Sequence, residues 1–92
     1  PSCALIGNIY LELGNFEESE KYYIPACESR FSKACIGVIS CELRKQKMNI
    51  KKIKKYNGLA KQYLSSECKD GNNESCLNLQ NITKLMAKFN IE

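Results

Sequence analysis

The chain of 92 residues has no histidine, no tryptophan and only two prolines. Without histidine, Ser-His-Asp and Cys-His arrangements for nucleophilic catalysis are excluded, and a zinc site loses its usual nitrogen ligand. Close C-x2-4-C pairs, the spacing structural zinc prefers, are also missing. No apolar run approaches the roughly 18 residues a membrane-spanning helix requires, so no membrane insertion is expected. Period-two alternation is absent too, which removes strands and leaves an all-α class. No cofactor or metal is expected.

What the sequence does have is cysteine, six residues of it. Tyr22-Tyr23-Ile24-Pro25-Ala26-Cys27 runs on to Ala34-Cys35, and Tyr63-Leu64-Ser65-Ser66-Glu67-Cys68 runs on to Ser75-Cys76, so both stretches space two cysteines eight apart. Each first cysteine closes an amphipathic segment and each second one opens the next, across polar or turn-forming residues. A disulfide at the corner between consecutive helices fits that layout, with zinc or free thiols as the alternatives. Six cysteines in so short a chain point toward an oxidising compartment, periplasmic or secreted.

Taken in order, Cys3, Ile6, Ile9, Tyr10 and Leu13 recur at helical steps and predict a first helix over 3–13 with that stripe facing the core. Gly14-Asn15 breaks it, and Asn15 with Glu18 reads as a capping box for a second helix carrying Phe16, Ser19, Glu20, Tyr23 and Cys27. Its acids Glu17, Glu18 and Glu20 read as a solvated helix start. Pro25 predicts a kink or an early end near Tyr23. Ser32 is the expected N-cap of a third helix with Cys35, Val38, Ile39, Glu42 and Leu43 on its apolar face. A turn over 46–49 precedes a fourth helix from Ile50, ending at Asp70-Gly71. Gly58 inside it suggests close packing or a bend. Asn72 or Asn73 caps a fifth helix with Cys76, Leu79, Ile82, Leu85, Met86 and Phe89.

Superposing Cys3, Cys35 and Cys76 gives offsets of 32 and 41 residues, the interval at which helix pairs recur in α-solenoids. The stretch from Ala4 through Gly7, Tyr10, Gly14, Phe16, Ser19 and Tyr23 to Ala26 resembles a tetratricopeptide repeat. With the added cysteine pairs, the chain resembles the Sel1-like repeats of the Helicobacter cysteine-rich proteins. That resemblance implies disulfides Cys27–Cys35 and Cys68–Cys76 between one repeat and the next. It further implies an α-solenoid of about five helices in a single domain over 1–92, with repeats at about 3–31 and 32–71 and a terminal helix over 72–90. In this register Ile39 takes the position of Gly7. By the same pattern Cys3 would pair eight residues upstream, before Pro1, so the expectation is a mature product or an excised C-terminal part of a longer array. A Cys3–Cys41 bond is disfavoured by an offset of roughly 9 Å along neighbouring helices, and Cys41 reads as a small buried hydrophobe.

In the tetratricopeptide arrangement the first helix of each pair lines the concave side. This places Asn8, Ser40 and Asn81 in a polar ladder, with Glu12, Arg44 and Leu85 one turn on, read either as able to hydrogen-bond an extended protein or peptide partner or as exposed polar residues of the helices. Arg44, Lys45, Lys47, Lys51, Lys52, Lys54 and Lys55 form a basic patch, read either as an anion-binding surface or as a solvated face. Aromatics are not interleaved to stack bases, so nucleic acid is not the expected partner. Ser66-Glu67-Cys68-Lys69 matches the S-x-x-K of penicillin-interacting enzymes, but the S-D-N and K-T-G partners are absent. The leading expectation is an exported protein-interaction module. A weak penicillin-binding or β-lactam-hydrolysing protein and an immunity or inhibitor protein are the alternatives.

Overall fold

The computed structural model describes residues 2–91. Five helices follow one another: α1 (Ser2–Glu12), α2 (Phe16–Glu28), α3 (Ser32–Arg44), α4 (Ile50–Lys69) and α5 (Asn73–Lys88). No strand occurs among the described residues. Each helix packs on the next in sequence, and α1 also touches α3. No helix is long and apolar enough to cross a membrane.

Four of the five helices leave by the same local device. After α1, α2, α4 and α5 one residue adopts positive φ: Gly14, Arg30, Gly71 and Asn90. Its N–H and the next residue's N–H turn back onto the last carbonyls, as in Arg30 to Cys27 and Phe31 to Ala26, or Gly71 to Cys68 and Asn72 to Glu67. Such a reversal satisfies carbonyls the helix itself cannot. At the opposite ends, the side chains of Asn15, Asn49 and Asn72 accept from the N–H groups of Glu18, Lys52 and Ser75. Ser32 is not the cap of α3. That position belongs to Phe31, without a side-chain bond, and Ser32 instead donates from Oγ to Glu67 Oε1 at 2.9 Å.

Disulfides join Cys27 to Cys35 and Cys68 to Cys76, with Cα atoms 4.7 and 4.8 Å apart, so the α2–α3 and α4–α5 corners are both covalently closed. Cys3 and Cys41 are free, the first exposed and the second buried. Cys41 Sγ lies 3.4 Å from Ser19 Oγ, and burial pushes its thiol pKa up, which suits an inert packing role.

The core centres on Tyr23, Cys27, Val38, Ile39, Ile53 and Leu64. Tyr23 is its keystone. Its ring lies between Gly7 of α1 and Gly37 of α3, where a β-carbon would stand 3.0 Å and 2.7 Å from ring atoms. Gly37, two residues before Ile39, is thus the close-approach glycine of α3, and the alignment of Ile39 with Gly7 misses it.

Three further expectations change. α2 continues through Pro25 to Glu28, because Pro25 and Lys21 are both exposed and water can serve the Lys21 carbonyl that loses its donor. Gly58 is exposed and nothing lies within 4 Å of where its β-carbon would be, so it marks no close packing. The stripe of α1 faces outward: Ile6, Ile9 and Leu13 are 37%, 58% and 73% exposed, while Ala4 and Gly7 are buried. In α1 apolar residues surround the axis, so periodicity alone does not select a face. The small side, which admits the Tyr23 ring, is the one that packs.

Candidate functional site

Two clefts open at the seams between the odd-numbered helices. The first, of about 350 Å³, is lined by Ala4, Leu5, Asn8, Tyr23, Phe31 and Lys33. The second, of about 200 Å³, is lined by Ile36, Ile39, Asn78, Asn81, Ile82 and Leu85. Each combines an apolar lining with asparagine. Asn8 and Asn81 are exposed and Asn78 is half-buried. On α5, Asn78 and Asn81 stand one helical turn apart and therefore share a face.

Tyr23 connects the first cleft to the core. Its hydroxyl donates to Asn8 Oδ1, which fixes the amide and leaves the Nδ2 protons for another acceptor. Burial of Tyr23 is the main reason its phenol is held above its ordinary pKa, so the hydroxyl remains a donor at neutral pH. Lys33 of α3, which lines the first cleft, also forms an exposed ion pair with Glu74 of α5 at 3.0 Å, near the N-termini of both helices.

Of the ladder residues, Asn8 and Asn81 sit one in each cleft, whereas Ser40, Glu12 and Arg44 line neither. Ser40 is half-buried, and Glu12 and Arg44 are exposed near the C-terminal ends of α1 and α3. Asn78, Phe31 and Tyr23 were not anticipated as cleft residues. Asn78 was detectable as the residue one turn before Asn81. The role of Phe31, which lies between helices, depends on the α2–α3 turn.

The basic patch divides. Lys45 and Lys52 turn inward, where Lys45 Nζ lies 2.9 Å from Glu20 Oε1 and 2.6 Å from Glu42 Oε2, and Lys52 Nζ lies 2.8 Å from Glu20 Oε1. Glu20 and Glu42 are only 5% and 1% exposed, so Glu20 does not belong to a solvated helix start. The Asn49 N–H also donates to Glu42 Oε1 at 3.2 Å, pinning the α3–α4 loop to the cluster. Burial would raise the Glu42 pKa, but the adjacent Glu20 carboxyl, Lys45 and the Asn49 N–H hold it down to about 2. Glu20 is shifted upward, first by burial and then by the adjacent Glu42. These two carboxylates are a structural ion cluster linking α2, α3 and α4. Lys47, Lys51, Lys54 and Lys55 remain exposed, Lys55 with its ammonium 5.2 Å from the Tyr56 ring centre.

No protein-family model matches the chain, and no characterised protein or solved structure matches it significantly.

Ser66 and Lys69 of the S-x-x-K sequence are both exposed. Ser66 lines a shallow cleft with Arg30, Tyr63 and Glu67, and Arg30 lies over the Tyr63 ring at 5.5 Å. Glu67 accepts from Ser32 and Ser75, bridging the starts of α3 and α5. Among the described residues no group of three or more His, Cys, Asp or Glu side chains is placed to hold a metal ion.

Proposed function

We propose that the chain is an exported helical-repeat module of the Sel1-like or tetratricopeptide-like kind, an α-solenoid that binds an extended segment of another protein across the seams between α1, α3 and α5. The observation that carries this reading is the pair of seam clefts, each combining an apolar lining with an exposed asparagine. An extended segment presents alternating side chains and an unsatisfied backbone. Small apolar clefts take the side chains, and amide groups at Asn8, Asn78 and Asn81 meet the backbone. The two disulfides hold adjacent helices in register, which lowers the ordering cost of binding. They also support an oxidising location, periplasmic or extracellular.

Selection of displayed peptides against the oxidised protein tests the reading. Selected peptides should shift amide resonances of α1, α3 and α5, and their affinity should fall roughly tenfold in Asn8→Ala/Asn81→Ala. Shifts confined to α4, or affinity unchanged by the double substitution, would refute it. Capture of one stoichiometric protein, with no peptide able to compete, would favour an inhibitor that occludes a whole surface.

A further inference from the structure

The α3–α4 corner sets charge and apolar surface side by side, apart from both seam clefts. From Leu43 to Ser66 the chain has no acidic residue, and Lys47, Lys51, Lys54 and Lys55 are exposed there. One acidic side chain beside these lysines would still leave the surface positive. Among them Met48 and Ile50 are 39% and 40% exposed, so their apolar atoms are open to a partner.

This surface is held out by what lies beneath it. Lys45 and Lys52 turn inward to Glu20 and Glu42. The Asn49 N–H donates to Glu42, and the Asn49 side chain accepts from the Lys52 N–H. The anchored loop leaves Met48 and Ile50, on either side of Asn49, outside. The surface also runs against local helix preference. α4 opens Ile50-Lys51-Lys52-Ile53-Lys54-Lys55 with no acid in its first turn, whereas α2 and α5 begin with Glu17, Glu18 and Glu74. Lysines at the positive end of a helix dipole, with Lys51 one turn from Lys55, disfavour the helix they start. Such a local conflict is the mark of a surface kept for a function, and an anionic surface laid against it relieves both repulsions.

Tyr56, the aromatic residue beside Lys55, is only 4% exposed, so its ring is not offered for stacking on bases. A lipid surface needs neither a pocket nor directed hydrogen bonds. It gathers lysines by its summed charge and receives apolar side chains between its headgroups. We propose that the α3–α4 corner docks on an anionic lipid bilayer, with Lys47, Lys51 and Lys55 against headgroup phosphates and Met48 and Ile50 in the headgroup–acyl boundary. Contact is with the surface alone, since no helix is long and apolar enough to cross it. The proposal does not depend on the peptide-binding reading, because none of these residues lines a seam cleft.

Flotation of the oxidised 92-residue protein with vesicles of mixed phosphatidylglycerol and phosphatidylcholine is the test. The protein should float with these vesicles, not with phosphatidylcholine alone, and salt should release it. Lys47→Gln/Lys51→Gln/Lys55→Gln should lower affinity roughly hundredfold, at about fivefold per lysine, and Met48→Gln/Ile50→Gln should lower it roughly tenfold. Lys51→Glu should weaken binding while its melting temperature holds or rises, since an acid suits the first turn of α4. A fall in both would mean that this lysine serves the fold. Absence of flotation, or binding indifferent to the lysine substitutions, would overturn the proposal. Binding indifferent to Met48→Gln/Ile50→Gln, with full competition by poly-aspartate or by single-stranded DNA, would replace the bilayer by an acidic protein or a nucleic acid.

Discussion

Tyr23 of α2 lies so close to Gly37 of α3 that a β-carbon at residue 37 would stand 2.7 Å from Cε1 and Cζ of the ring. The ring is 2% exposed and has Gly7 on its other side, so it cannot move away. Gly37→Ala should therefore destabilise the fold by about 2 kcal/mol through overpacking, lowering the melting temperature by about 10 °C. Gly58→Ala supplies the opposite case. That exposed helical position has open space around it, and alanine should stabilise by up to about 1 kcal/mol. Thermal melts of the two variants should move in opposite directions, and movement in the same direction would contradict the packing described.

Acid should weaken the link between α2, α3 and α4. Glu42 is held down to about 2 in the folded protein against an ordinary 4.5, so its stabilising contribution is present above pH 4.5 and is lost as pH falls toward 2. Glu20 shifts the other way, so its contribution is present below its ordinary value and is lost as pH rises through the raised one, partly offsetting Glu42. Glu42→Gln should cost about 2 kcal/mol at pH 7, discounted because Lys45 and Lys52 are partly solvated and keep Glu20. The difference from the parent should shrink at pH 3. Circular dichroism melts at both pH values check this, and an equal loss at each would mean that the carboxylate charge is not the source.

Each disulfide closes a loop of nine residues, counting both cysteines, which should contribute roughly 2.5 kcal/mol by restricting the unfolded chain. Cys27→Ser should lower the melting temperature of oxidised protein by about 10 °C. In reductant the variant and parent should nearly coincide. Peptide mapping of unreduced, alkylated protein should recover Cys27 with Cys35 and Cys68 with Cys76, leaving Cys3 alkylated readily and Cys41 only on unfolding.

The outward side of α1 exposes Leu5, Ile6, Ile9 and Leu13, a concentration of apolar surface that favours association. Ile9→Lys should reduce concentration-dependent self-association of the 92-residue chain in sedimentation experiments, with little change in melting temperature. A large loss of stability would mean that Ile9 is packed inside.

Local signals were legible. Asn15 as a cap, Asn72 as one of two candidate caps and Gly71 as an exit could be named because capping and positive φ each act over a few residues. The eight-residue cysteine spacing likewise marked the two corners. The face of α1 was not legible, since apolar residues encircle it and only the Tyr23 ring selects the Ala4–Gly7 side. Nor was the burial of Glu20, whose partners Lys45 and Lys52 lie 25 and 32 residues later. Ser32 matched a capping pattern but found a better acceptor in Glu67, a long-range choice that no local rule contains. Asn8 and Asn81, named from the repeat alignment, each line one of the seam clefts. The cleft linings as wholes were not legible, because they combine residues from turns and successive helices.

The covalent corners and the buried ion cluster act at different joints of the molecule. Sulfur bonds close α2 onto α3 and α4 onto α5, while the carboxylate–ammonium cluster binds the α3–α4 loop and the flank of α2. Reductant and acid are thus separate keys to the same body. One should release the hinges between neighbouring pairs while the middle stays clasped, and the other should unclasp the middle while the hinges stay shut.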